Sequence, residues 1–93
     1  VDGLPDQQRV DVLRLERRLR DAGYDAIQPH TLGFFFGDKA LVATAMCQGQ
    51  PGVAVADQQH CLWWPHRGSS RPIDPDVAYC IYKGRKLLRA FNE

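Results

Sequence analysis

The chain has 93 residues, of which 44% are apolar and 25% charged, with twelve Lys or Arg set against eleven Asp or Glu. Such a balance excludes a disordered, collagen-like or membrane-embedded chain, and a net charge of +1 supplies no global field to gather nucleic acid or an anionic membrane. A single domain over residues 1–93 is expected, with a thin core, because a chain this short buries only about 60 to 65% of the surface its unfolded state exposes.

Residues 6–22 predict an amphipathic helix, since Val12, Leu15, Leu19 and Ala22 fall on one stripe while Arg14, Arg17, Arg18 and Arg20 lie elsewhere. Pro5 suits the first turn, Asp6 complements the positive end of the helix dipole, and Gly23 supplies the left-handed residue that commonly ends a helix. Beyond Gly23 the chain changes to short aromatic and branched runs separated by Gly, Pro and Asp, the pattern of antiparallel strands and turns. In "FFFGDKALVATA", Gly37-Asp38 predicts a tight turn joining residues 32–36 and 39–46 as a hairpin. "CQGQPG" predicts a loop, residues 53–56 a short strand, "DQQ" a turn and residues 60–64 another strand.

Residues 65–76 are rich in turn formers and predict a loop or Ω-like excursion. Residues 77–82 alternate well enough for a strand, and Lys83-Gly84 reads as a tight turn. The run 85–91 fits either a helical face or a returning strand, and the turn before it favours the strand. The expected fold is therefore α+β: one N-terminal amphipathic helix packed on an antiparallel sheet of about five to six strands joined by hairpins.

The densest chemistry lies in "DQQHCLWWPHRG", residues 57–68. Strand alternation there sends His60, Leu62 and Trp64 to one face and Cys61 and Trp63 to the other, so His60 and Cys61 do not chelate one ion. No C-x-x-C pair is present, and zinc sites are usually built from such paired spacings, so no metal and no cofactor are expected. Cys47, Cys61 and Cys80 are odd in number and far apart, unlike the sets that staple secreted domains; buried, reduced thiols and a cytoplasmic setting follow. No local base or cation activates a Cys or Ser nucleophile, and Asp74-Pro75-Asp76 has the composition of a turn, so no catalytic residue is assigned.

Trp63, Trp64, His66, Arg67 and Arg71 form the candidate binding set, with one Trp packed inward and the other exposed. Trp and Arg are the residues most enriched in interface hot spots, and flat rings beside guanidinium groups also suit single-stranded nucleic acid. A basic patch from the helix arginines with Lys83, Arg85, Lys86 and Arg89 is weakened by the interleaved Asp11, Glu16 and Asp21. Three consecutive Phe, 34–36, place rings on both faces of a sheet that one helix covers on only one side, which predicts a two-fold homodimer.

The expected function is a small non-enzymatic binding module, of inhibitor, immunity-type or accessory character, that presents the aromatic and basic loop or a sheet face to a protein partner. The alternative is a compact enzyme or small-ligand binder with a pocket near Trp63 to Arg71. Nucleic acid and membrane are not expected partners.

Overall fold

The computed structural model describes residues 5–66 and 73–92. They form α1 (Asp6–Asp21), β1 (Tyr24–His30), a single helical turn α2 (Leu32–Phe35), β2 (Leu41–Cys47), β3 (Gln50–Ala56), β4 (Cys61–Pro65) and α3 (Pro75–Asn92). The strands make one antiparallel sheet in the order β1-β2-β3-β4. The class is α+β with the N-terminal helix on an antiparallel sheet, as expected, but among the described residues the sheet has four strands rather than five or six.

α1 buries Val12, Leu15 and Leu19, and these pack against Leu41, Ala43, Ala54 and Ala56 of the two central strands together with Phe34. Three small alanines on this face let the helix approach the sheet closely. Gly23 adopts φ 102° just after the helix and ends it as its position predicts.

The opposite face carries Val42, Val53 and Val55, and it is covered by Ala78, Tyr79 and Tyr82 of α3. This corrects the expectation of two strands at 77–82 and 85–91: one continuous helix runs through Lys83-Gly84. Its start is chemically well specified. The Asp74 carboxylate accepts the Asp76 N–H at 2.8 Å, the Asp74 carbonyl accepts from Ala78 N–H at 2.9 Å, and Pro75 occupies the first helical position. Asp-Pro-Asp is thus a helix start rather than a loop turn. With a helix on each face, the sheet face proposed for a partner is occupied, and the uncovered face that motivated self-association is not there.

The expected hairpin of 32–36 with 39–46 is replaced by α2 and its exit. Gly37 has φ 78°; its N–H donates to the Phe34 carbonyl at 3.2 Å, and Asp38 N–H donates to the Gly33 carbonyl at 2.8 Å. That pair of bonds is the Schellman helix ending, which needs the same positive-φ glycine as a hairpin turn. β2 then pairs with β1 and β3. The tight hairpin turn falls at Gln48-Gly49, with φ 52° and 81°, both positive as a type I′ turn requires. β3 accordingly starts at Gln50, three residues before the predicted 53–56 strand.

Candidate binding surface

The site grows out of the turn between β3 and β4. Asp57 leaves β3 with its carboxylate turned back on its own chain, where Oδ1 accepts the N–H of Gln59 at 2.7 Å and of His60 at 2.5 Å. This is an Asx-type turn, the local chemistry "DQQ" suggests. Two long-range ties then lock it. Tyr82 of α3 donates its hydroxyl to Asp57 Oδ2 at 2.6 Å, and Arg18 of α1 donates to the backbone carbonyls of Asp57 and His60. One turn therefore joins both helices across the sheet.

The electrostatics of this knot are those of a latch. Partial burial pushes the Asp57 carboxyl up, but the Tyr82 hydroxyl and the two backbone N–H groups outweigh it, and the net pKa is lowered. Burial, and then the hydrogen bond to Asp57, push the Tyr82 hydroxyl far up from its ordinary value. At neutral pH the carboxylate is charged and the phenol neutral, which is the pairing that holds them together. Neither group is tuned toward neutral pH for proton transfer.

A cleft of about 780 Å³ opens between this turn and the middle of α3, with Lys39, Asp57, Gln58, His60, Arg85 and Lys86 among its walls. Of its two carboxylates, Asp57 is engaged as described, while Asp38 Oδ2 is buried without a hydrogen bond and is countered by the Lys83 ammonium at 3.7 Å. Among the described residues, Lys39, Arg85 and Lys86 enter no ion pair. Arg85 instead lies over the Trp64 ring at 6.0 Å, so the indole sits behind the cationic rim without itself lining the cleft. Lys83 sits 5.6 Å from the Phe36 ring centroid and 5.4 Å from that of Tyr79, which anchors α2 to α3.

The predicted binding set is divided by this architecture. Trp64 joins the α3-side core beside Leu62, whereas Trp63 packs on the α1 side, its ring 5.1 Å from Tyr24. Both indoles are half-buried, in place of one inside and one out. A Cβ at Gly52 would come within 2.6 Å of the Trp63 ring, so the missing side chain there is what seats this Trp. His66 lies at the far end of β4, tied by its N–H to the Pro51 carbonyl at 2.8 Å. It lines a separate cavity of about 530 Å³ with Ile73, Asp74 and strands β2 and β3; neither Trp borders it. Arg67 and Arg71 lie outside the described residues.

The cysteines depart from the buried fillers expected of them: Cys61 and Cys80 are exposed, Cys47 is partly buried, and all three are free. The Cys61 thiol lies 3.9 Å from the Tyr24 hydroxyl. Desolvation raises its pKa despite the opposing effects of Tyr24 and Arg18, the reverse of what an activated nucleophile needs. Among the described residues no cluster of three or more His, Cys, Asp or Glu is placed to hold a metal ion, and no helix is long and apolar enough to cross a membrane.

Sequence reasoning missed the Asp57, Tyr82 and Arg18 knot. Asp57 and its turn are visible in the sequence, but the pattern puts Tyr82 on a strand and Arg18 on a solvated face, so their meeting requires the fold. Comparison with family models, with curated proteins and with solved structures found no match to this chain.

Proposed function

We propose that this domain is a non-enzymatic binding module whose contact surface is the cationic cleft beside Trp64, and that its partner is an acidic segment of another protein. The observation that carries this reading is the charge state of the cleft. Asp57 is satisfied by Tyr82 and backbone N–H groups and Asp38 is countered by Lys83, while Lys39, Arg85 and Lys86 enter no ion pair among the described residues. A ligand carboxylate approaching them meets exposed cations without having to displace a native carboxylate. Arg85 on Trp64 adds the paired guanidinium and indole typical of interface hot spots.

The rival enzymatic reading loses support from the same groups. Asp57 and Tyr82 are driven apart in pKa in the direction that freezes their protons, and Cys61 is raised rather than activated. Three free thiols, two of them exposed, fit a reducing compartment such as the cytoplasm. An inhibitor or accessory protein needs no more than this rigid scaffold and one complementary surface.

The test is a fluorescence-anisotropy titration with labelled Glu- and Leu-containing peptides, Lys- and Leu-containing controls and a single-stranded oligonucleotide, at low and high salt. The acidic peptides should bind selectively and weaken with salt, and Lys39→Glu with Lys86→Glu should reduce affinity at least tenfold without changing the melting temperature. Indifference to peptide charge sinks the proposal. Preference for the oligonucleotide over the acidic peptides moves the cleft to nucleic-acid binding.

A further inference from the structure

α3 has two stripes. The inner one, Ala78, Tyr79 and Tyr82, is buried on the sheet. The outer one, Val77, Cys80, Ile81, Gly84, Leu87, Leu88 and Phe91, recurs at helical spacing on the opposite side and faces away from the sheet. Its large members are open to solvent: Val77 is 49% exposed, Leu87 and Leu88 64% each, and Phe91 82%. The cleft described above uses a different edge of the helix, so what covers this stripe is a separate question.

The order of side chains along the stripe is symmetric about Gly84. Val77 and Phe91 lie seven residues to either side, Cys80 and Leu88 four, and Ile81 and Leu87 three. Two such helices crossing antiparallel on a two-fold axis at Gly84 would set each large side chain against a smaller or equal one, and the glycines against each other. Gly84 itself has no explanation inside the chain, because a Cβ there would meet nothing within 4 Å, and glycine in a helix interior is unfavourable relative to alanine. Close approach of a second helix backbone supplies the reason.

We infer that the outer stripe of α3 is the interface of a two-fold homodimer, formed by antiparallel pairing of α3 with a second copy of this chain about Gly84. The exposed apolar surface on the stripe is roughly 500–600 Å² per chain, so complete pairing buries about 1,000–1,200 Å², at the lower edge of specific interfaces, and the dimer is weak and concentration-dependent. The cations that flank the crossing do not oppose it freely. Lys83 is drawn back to Asp38, Phe36 and Tyr79, and Arg85 to Trp64, each on its own copy. The helix dipoles run antiparallel, which also favours the pair.

Sedimentation equilibrium from low to several hundred micromolar should show a reversible monomer–dimer equilibrium. Gly84→Gln, which meets open space within the chain, should weaken the dimer at least tenfold while the monomer melts no lower; Leu88→Asp should do the same. Register is tested by Leu88→Cys in a background carrying Cys47→Ser and Cys61→Ser. Mild oxidation should link Cys80 of one copy to position 88 of the other, since opposed residues fall within disulfide reach. The background without Leu88→Cys should give no cross-link, its two Cys80 residues being eight positions apart across the axis. A monomer at every concentration overturns the inference. So does a dimer indifferent to Gly84→Gln and Leu88→Asp, or co-sedimentation of a monomer with anionic vesicles that Phe91→Asp abolishes, which would assign the basic, apolar helix face to a lipid surface instead.

Discussion

Asp57 closes its own turn and reaches α3 at once. Its pH dependence follows from the two shifts. Asp57 is held below its ordinary value of 3.8, so its contribution is complete above about pH 4 and is lost as pH falls through the lowered folded value. Tyr82 is raised, so its contribution is complete below about pH 10 and is lost as pH climbs through the raised folded value. Tyr82→Phe should cost about 1.5–3 kcal/mol at neutral pH, the range for a hydrogen bond to a charged group. The difference from the unaltered protein should shrink as pH falls below about 4, from the ordinary carboxylate value toward the lowered folded one. Urea unfolding of both proteins at neutral pH and below about pH 4 measures it, and a gap that does not change with pH refutes the latch.

α3 separates what the residue pattern reveals from what packing decides. Gly84 sits in its middle, exposed and with open space around it. Gly84→Ala should therefore stabilise the monomer by about 0.5–1 kcal/mol, the helix-interior preference of alanine over glycine. Were Lys83-Gly84 the tight turn its composition resembles, the same change would destabilise; thermal melts at low micromolar concentration distinguish the two. The first helix could be read directly because its stripe, its acidic start and its Gly23 end all agree. The C-terminal helix could not, because it has two apolar faces: Ala78, Tyr79 and Tyr82 on one side and the Val77 to Phe91 stripe on the other blur a 3.6-residue period into apparent alternation. Gly37 misled for a related reason, since a Schellman ending and a hairpin turn both ask for positive φ. The near-continuous apolar runs of β2 and β3, "LVATA" and "VAVA", mark strands covered on both faces rather than half-buried ones. The divided placement of Trp63 and Trp64 was foreseeable from alternation, whereas the cleft beside Trp64 depends on α3, and so was not.

The two helices share one sheet, which determines how the domain comes apart. α1 contributes Leu19 to one core and α3 contributes Tyr79 to the other, and β2 and β3 are buried against both. The Asp57 turn adds a direct hydrogen-bonded link between the layers, with Arg18 on one side and Tyr82 on the other. Neither layer can then be lost while the other remains intact, because opening either one strips a face from the same central strands. Leu19→Ala and Tyr79→Ala should each cost about 2–5 kcal/mol, as large-to-small core changes do. The residues lie on opposite faces and in separate clusters, so the double mutant should show the two losses adding to within about 0.5 kcal/mol. Both single mutants should still unfold in one transition, with far-ultraviolet circular dichroism, which follows the helices, and Trp fluorescence, which follows β4, giving coincident midpoints. Should Tyr79→Ala instead lose helical signal well before the fluorescence changes, α3 is a detachable cover, and the cleft it walls would open and close independently of the sheet.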